Sequence, residues 1–486
     1  MLGGSFRMAD YSRHGGGGIS WPSRARLALA ISAGKLAGAS GRLFRIGGGT
    51  SLPGMIARRI DPNVLRSVMA ATTASKIVIT GSNGKTTTAR MTAAIADASG
   101  RRVSHNRTGS NLLQGVTSVV VNYADVFGRL DSDLLLFEID EGTMPVAMPE
   151  IQPDVVVVTN IFRDQLDRYG ELYSVAKALD KLLERLPETA TIVLNGNDPQ
   201  VASFGQQARA RKLYFGLRTT DIGRPVPEHA ADVIRCIRCN EDLVYEVAYL
   251  SHLGLYRCPN CGYELPPLDV AATSIQLDPR GDGPTQVTMQ TPLGQVELTL
   301  PLPGVHNVYN AAAAIAASIA AGFGIEKVPA ALSNIRTAFG RLEKIQAGDQ
   351  TIYLAFVKNP TSFNLVLRLI AQHPGEKHLL LVASNTVVDG EDFAWLWDVD
   401  LEEISPQVAD VICSGTKAEE LAMRLKYAEV PLDRVRVVHE REAALNAALQ
   451  NAGPGGTLYI MASYTPTQEL RRIMQKRGWV KPYWEE

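Results

Sequence analysis

The chain has 486 residues, 45% hydrophobic and 20% charged, with a formal net charge of −1. That balance excludes a mainly disordered chain, a collagen-like one and a protein built to coat nucleic acid; the length fits two or three domains. The charge is uneven, since residues 1–60 hold nine basic residues (Arg7, Arg13, Arg24, Arg26, Lys35, Arg42, Arg45, Arg58 and Arg59) against Asp10 alone.

Residues 1–23, with Gly15 to Gly18, read as a flexible tail, and 24–68 as a basic helical leader broken at Gly47 to Gly49 and Pro53. No apolar run reaches the roughly 18 residues of a membrane span. Lys35 interrupts the weak signal-like stretch 27–39, so a cytoplasmic chain is expected. From residue 69 the pattern changes. Buried strands are predicted at 76–80, 134–139, 155–159 and 191–194, with helices at 85–99 and 171–187. Such continuous apolar strands alternating with helices predict a parallel sheet covered on both faces. Residues 222–268 differ in composition and read as an insertion; 285–300 alternate as a hairpin, and helices follow at 308–321 and 328–338. A second α/β series has strands at 352–356, 378–383, 409–413, 434–438 and 457–461.

The strongest motif is Ile79-Thr80-Gly81-Ser82-Asn83-Gly84-Lys85-Thr86-Thr87, a strand running through a glycine turn into a helix. Helix N-termini offer free N–H groups and the positive end of a dipole to anions. Lys85 supplies a point charge for the β- and γ-phosphates, and Thr86 a hydroxyl for Mg²⁺. The long P-loop spacing is not met, because Ile79 stands where its first Gly would be. A Mg²⁺-bound triphosphate calls for nearby carboxylates, and Glu138 and Glu141, at the end of an apolar strand, are the candidates; a solvated acidic loop is the alternative. Asp164, Gln165 and Asp167, and then Asn195 to Asp198, end two further strands.

Cys236-x-x-Cys239 and Cys258-x-x-Cys261 lie 18 residues apart, the spacing of a closed, structural zinc site made of four cysteines. The stretch 228–264 carries Arg235, Arg238 and Arg257 against Glu228, Asp232, Glu241, Asp242, Glu246 and Glu264, so no basic stripe for nucleic acid accompanies it. Cys413, the fifth cysteine, reads as an inert strand thiol, and no glutaminase nucleophile is visible.

Together these motifs resemble the Mur ligase family of ATP-dependent carboxylate–amine ligases. The likeness extends to Gly304-Val305-His306-Asn307-Val308-Tyr309-Asn310 and to Gly340-Arg341-Leu342-Glu343. It implies that Gly81, Asn83, Gly84, Lys85, Thr86 and Thr87 bind ATP, that Asn195, Asp198, Asn307 and Asn310 border the nucleotide, that Arg341 reaches its phosphates, and that Thr86 and Glu138 hold Mg²⁺. Two departures narrow the resemblance. Asp164-Gln165-Leu166-Asp167 replaces the family's Asp-His-Leu-Asp, and only about 70 residues precede the phosphate strand, too few for a UDP-gripping domain. Both features resemble the MurT family of lipid II isoglutaminyl synthase subunits, as do LPGMIARRIDPNVL (52–65), NIFRDQLDRYGE (160–171), Lys358-Asn359-Pro360 and the segment 389–395. MurT-like proteins carry a similar zinc ribbon.

The resemblance implies a fold and a reaction. The fold is α/β: a Mur-ligase-like central P-loop domain over 69–343, carrying a zinc-ribbon insertion at about 228–268, and a C-terminal Rossmann-like domain over 346–486. The reaction is ATP-dependent amidation of the D-glutamate α-carboxyl of the lipid II stem peptide to D-isoglutamine, through an acyl phosphate. Ammonia comes from a GatD-like glutaminase partner, whose catalytic Cys–His pair Asp392 would complete across a heterodimer interface. From the residues alone Asp392 reads equally as an exposed loop acid or helix cap, and Ser384-Asn385-Thr386 departs from the family's usual segment. A peripheral position at the inner membrane face follows from the substrate and from the basic leader. The competing readings are a folylpolyglutamate-synthase-like or other Mur-type amino-acid ligase, and an ATP-binding zinc-ribbon nucleic-acid module.

Overall fold

Runs such as Leu134 to Phe137 and Val155 to Val158 have no polar side, so each strand needs cover on both faces. The computed structural model provides it; it describes residues 21–43, 51–106, 110–163, 172–229, 231–335, 342–386, 389–390 and 392–481. Helices α1 (Trp21–Leu43), α2 (Leu52–Ile60) and α3 (Val64–Ala71) precede β1 (Ser75–Thr80). Then come α4 (Lys85–Ala98), β2 (Val103–His105), α5 (Leu113–Tyr123), β3 (Leu134–Glu138), α6 (Met144–Ile151), β4 (Val155–Val158), α7 (Leu172–Leu183), β5 (Thr191–Asn195), the single turn α8 (Pro199–Ala202) and β6 (Arg211–Leu217). A separate hairpin, β7 (Val244–Leu250) and β8 (Leu253–Arg257), interrupts the series before β9 (Val270–Gln276), β10 (Thr285–Thr291), β11 (Gly294–Leu300), α9 (Val305–Ala320) and α10 (Val328–Leu332).

The central sheet runs β11-β10-β9-β6-β5-β4-β1-β3-β2; β2 to β6 and β1 are parallel, and β10 pairs antiparallel with β9 and β11. Alternate residues feed two cores. Ile77, Ile79, Leu136 and Val157 pack under α4 and the alanine-rich α9, while Val78, Leu135, Phe137 and Val156 pack under α1, α3, α5 and α6. The expected hairpin over 285–300 is β10–β11. Helix α10 stops at Leu332, short of the expected 338, because the side chains of Ser333 and Asn334 turn back onto the Ala330 carbonyl at 3.1 and 3.4 Å.

The basic leader is part of the main core. Leu27, Ala30, Ile31, Ala57, Val64 and Leu65 are buried in it, and Arg58 grips Glu150 with two bonds of 2.8 and 3.0 Å. Residues 1–20 lie outside the described residues.

The second unit comprises β12 (Glu343–Ala347), β13 (Gln350–Phe356), α11 (Pro360–Gln372), β14 (Lys377–Val382), β15 (Val408–Ser414), α12 (Ala418–Tyr427), β16 (Val435–Val437), α13 (Arg441–Ala452), β17 (Thr457–Ala462) and α14 (Tyr464–Lys476). Its sheet order is β12-β13-β17-β14-β15-β16, all parallel except β12. Charge clasps the two units together. Arg368 on α11 meets Glu228 of the insertion and, at 3.4 Å, Glu403, which also takes Arg224 at 2.6 Å; Arg163 meets Asp232 and, at 3.1 Å, Asp398. Burial opposes the charge on Arg368, but Glu228 and Glu403 outweigh it and hold the guanidinium above its ordinary pKa.

Gly54 of α2 lies against α5, where a Cβ would come within 2.0 Å of the Gln114 carbonyl and 2.7 Å of the Ser118 nitrogen. Gly→Ala in a helix ordinarily stabilises by about 1 kcal/mol. Here Gly54→Ala should instead destabilise by roughly 1–3 kcal/mol, read as a lower urea midpoint. A raised midpoint would contradict this α2–α5 contact.

Candidate active site

The phosphate turn is shaped by close approach. Gly81 and Gly84 have φ of +126° and +86°, and a Cβ on Gly81 would lie 2.2 Å from Thr159 Oγ1 and 2.8 Å from the Asn160 carbonyl. Between them Asn83 is fixed by the end of β4. Its N–H donates to Asn160 Oδ1 at 2.8 Å, and its carbonyl accepts from Thr159 Oγ1 at 2.8 Å and Asn160 Nδ2 at 3.0 Å. Ser82 and Phe162 exchange two bonds of 2.9 and 3.1 Å. Glycine at 84 caps α4, so the helix N-terminus opens directly onto the turn.

Two carboxylates meet this turn. Thr86 donates to Glu138 at 2.9 Å, and the buried Lys85 donates to Glu141 at 3.1 Å and to the Gly81 carbonyl. Burial alone would raise the Glu141 pKa, but Lys85 and Lys358 outweigh it and keep the group ionised. Glu138 is oriented by Asn106, whose amide bonds both the N–H and the C=O of Glu138, at 2.9 and 2.8 Å.

Other sequence-predicted residues converge here in graded fashion. Asn310 and Asn307, on the first turns of α9, bond one another at 3.1 Å, and Asn310 Oδ1 would lie 2.3 Å from a Cβ at Gly84. Thr87 is buried on α4. Asn195 is buried behind β4, donating to the Thr159 carbonyl at 2.9 Å. Asp198 is fully buried; it caps α8 through the N–H groups of Gln200 and Val201 at 2.9 and 3.1 Å and accepts from Ile161 at 3.0 Å. Arg341, and the segment containing Asp164, Gln165 and Asp167, lie outside the described residues. Asn359, which caps α11, reaches Asn83 Oδ1 at 3.5 Å. The spacing of residues along the chain carries no signal for the grip of Asn106 on Glu138 or for the Lys85–Glu141 pair, because both depend on which strand ends become neighbours.

Asp392 is not among these residues. It is exposed on the C-terminal unit, where its carboxylate caps a short 3₁₀ turn by accepting from the Ala394 N–H at 2.8 Å. Trp397 and Tyr427 nearby are 51% and 63% exposed and meet edge-on at 5.4 Å. Cys413 is fully buried in β15, which pushes its thiol up to about 12 and leaves no thiolate for nucleophilic attack.

The four cysteines of the insertion gather, with all four sulfurs within 4.8 Å of one another and the pairs Cys236–Cys261 and Cys239–Cys258 at 3.5 and 3.4 Å. Those spacings are too long for disulfides and close to the sulfur–sulfur edge of about 3.8 Å in a tetrahedron of 2.3 Å zinc–sulfur bonds. Each pair sits on the same kind of turn, followed by Asn240 or Gly262 at φ +61° and +72°. The donor set fits a structural zinc ion.

A phosphate turn on a parallel sheet, facing a second α/β unit that leans onto it, is the architecture of a Mur-type ligase. Residues 79–235 match the Mur ligase middle domain and 356–467 the MurT ligase C-terminal domain. The chain thus carries a Mur ligase middle domain and a MurT ligase C-terminal domain, and among whole relatives it is similar to MurT subunits. It is 29% identical over 458 residues to the lipid II isoglutaminyl synthase (glutamine-hydrolyzing) subunit MurT of Streptococcus pneumoniae, covering 93% of this chain and 99% of the relative. The corresponding Staphylococcus aureus subunit is 29% identical, over 81% of this chain and 86% of the relative. Among solved structures, a pseudomurein peptide ligase type C from Methanothermus fervidus matches with a TM-score of 0.63 and 23% identity, covering 85% of this chain and 81% of that one. MurF from Acinetobacter baumannii matches with a TM-score of 0.62 and 19% identity, covering 86% and 80%.

Gly81 and Gly100 both have positive φ, but a Cβ at Gly100 would meet nothing within 4 Å. Gly100→Ala should therefore cost only the left-handed backbone penalty, about 1–2 kcal/mol. Gly81→Ala should cost clearly more, because Thr159 and Asn160 must also move. Equal urea midpoints would refute the close packing of the turn.

Proposed function

We propose that the chain is the synthetase subunit of a lipid II isoglutaminyl synthase, amidating the α-carboxyl of D-glutamate in the stem peptide with ATP and ammonia. The observation that carries this reading is the phosphate turn with Thr86 and Glu138 2.9 Å apart, in a chain whose C-terminal unit matches the MurT ligase domain. The hydroxyl and carboxylate are hard oxygen donors suited to Mg²⁺, which when bound would neutralise charge on the β- and γ-phosphates. Glu138 rather than Glu141 is the better placed ligand, since Glu141 is engaged by Lys85. Gly81, Gly84 and Thr87 frame the phosphates, Asn83 shapes the turn through its bonds to Asn160 and Thr159, Asn195, Asp198, Asn307 and Asn310 border the nucleotide, and Arg341 is assigned to its phosphates by resemblance.

In this reading the substrate carboxylate attacks the γ-phosphorus, the bond to the β-phosphate oxygen breaks, and ADP leaves. Ammonia then attacks the acyl phosphate carbon, the C–O bond breaks, inorganic phosphate leaves and one proton is released. Lys85 holds charge at the transferred group. No thiolate in this chain can release ammonia from glutamine, since Cys413 is buried and the other four cysteines form the zinc cluster that we assign to Cys236, Cys239, Cys258 and Cys261. A GatD-like glutaminase subunit is therefore assigned as partner. Asp392 is an exposed carboxylate on the unit that also exposes Trp397 and Tyr427, which suits an acid that orients a partner's histidine.

Among the described residues no helix is long and apolar enough to cross a membrane. The leader nonetheless presents Leu29, Leu36 and Met55, each at least 51% exposed, and also exposes Arg24 and Arg59. We assign these residues to peripheral contact with the anionic membrane that carries lipid II, each nearby Lys or Arg contributing about 1 kcal/mol.

With the partner, lipid II, ATP and glutamine, the protein should yield amidated lipid II by mass spectrometry; no amidated product would reject the reading. Lys85→Ala and Glu138→Ala should lower turnover by about 10²-fold or more, and retention in both would refute the site. Asp392→Asn should lose glutamine-driven amidation yet keep activity with ammonium; equal loss in both assays would remove Asp392 from the triad. In flotation on anionic liposomes, Leu29→Glu with Leu36→Glu should release the protein. Unchanged flotation would reject the membrane face.

A further inference from the structure

The zinc ribbon takes no part in the chemistry above, yet its hairpin tip is built into the site. We infer that the ribbon braces the loop Asn195 to Asp198, and that His252, at the β7–β8 turn, is a positioning residue acting through Asp198. The inference rests on the proposed role of Asp198 at the nucleotide.

His252 is fully buried, its ring 5.0 Å from that of Phe162 and its Nε2 3.4 Å from Asp198 Oδ1. No group among the described residues makes a regular hydrogen bond to either ring nitrogen, so Asp198 is the carboxylate toward which the imidazole is aimed. Burial disfavours a charged imidazole here, but Asp198, with Asp232 and Glu228, outweighs it and raises the pKa above the ordinary value. Asp198 in turn joins three pieces of the site: the end of β5, the start of α8 and the Ile161 N–H beside Asn160. Asn160 fixes the phosphate turn at Asn83.

The adjoining residues are bolted to the same hairpin and to the ribbon segment that follows it. The Gly254 N–H donates to the Asn197 carbonyl at 3.0 Å, Asn197 Nδ2 donates back to the Gly254 carbonyl at 3.0 Å, and the Tyr263 hydroxyl donates to the Pro199 carbonyl at 2.6 Å. The hairpin is shared between two cores. Val247, Tyr249, Leu250 and Leu253 enter the central one, while Tyr245, Ala248, Tyr256 and Tyr263 surround Cys236 and Cys258. A metal on the four sulfurs therefore fixes the hairpin and, through it, Asn197 and Asp198.

The test measures the dissociation constant of a non-hydrolysable ATP analogue with Mg²⁺ by calorimetry, and the melting temperature, on the full chain. His252→Leu should weaken nucleotide binding about tenfold, while His252→Gln, which keeps a donor, should stay within about threefold of the parent. Stripping the ribbon metal with a chelator, verified by elemental analysis and followed by restoring Mg²⁺, should weaken the parent by a similar factor and add little in His252→Leu, because coupled changes are not additive. Nucleotide affinity unchanged in His252→Leu and in the stripped protein, with only the melting temperature lowered, would overturn the inference. Equal losses in His252→Leu and His252→Gln would also overturn it, since packing alone would then explain them. Lys85→Ala separates the two readings: lost binding there with unchanged binding in His252→Leu refutes the brace alone, whereas retained binding in Lys85→Ala refutes the nucleotide site and the brace together.

Discussion

The crevice depends on how the peptide at Asn83 is held. Its N–H and its carbonyl are both satisfied by Thr159 and Asn160 at the end of β4, not by the turn itself. A buried peptide group without partners would cost several kcal/mol, so the turn adopts its shape only when β4 lies beside β1, four residues in register. Glycine at 81 is required because the β4 end is too close for a side chain. The free N–H groups of α4 are left facing the crevice, available to phosphate oxygens.

Charge then sorts the two carboxylates. Glu141 belongs to Lys85 and stays ionised despite burial, because a buried lysine and a buried carboxylate are each far costlier alone. Glu138 belongs to Thr86 and is aimed by Asn106. Neither acid can substitute for the other, although they stand three residues apart in one acidic run. The same logic operates between the two units. Arg368, Arg224 and Arg163 each find a carboxylate across the boundary, Glu228 of the insertion, Glu403 and Asp398. The insertion thus touches the phosphate-site loop on one side and the C-terminal unit on the other, a position from which a rigid ribbon sets the spacing of both.

Much of this was legible in the residues. Continuous apolar runs place β1, β3, β4, β5, β13, β14, β15 and β17 within a residue or two, because a strand buried on both faces has no polar positions to obscure it, whereas the half-polar β12 is not predicted. The short β2 and the half-polar β6 and β9 carry no such pattern and took their place only by pairing with neighbours. The leader reads as a basic helical segment that either meets the membrane or packs against the acidic body; Arg58 on Glu150 shows that packing, and Leu27, Ile31 and Leu65 join the main core. Its charges are conspicuous in composition, while its apolar stripe is diluted by small residues.

The sequence by itself determined the phosphate turn, the paired cysteines and the family likeness, because each is a local pattern of residue types at fixed spacing. Only the tertiary structure decided that Glu138 faces Thr86 while Glu141 faces Lys85, that Asn106 and Asn160 hold the site, and that His252 reaches Asp198 from a distant part of the chain. These contacts are made between strand ends and a hairpin tip, and nothing in the spacing of residues along the chain fixes which ends meet. Sheet order does, and sheet order follows from burying every apolar strand at once.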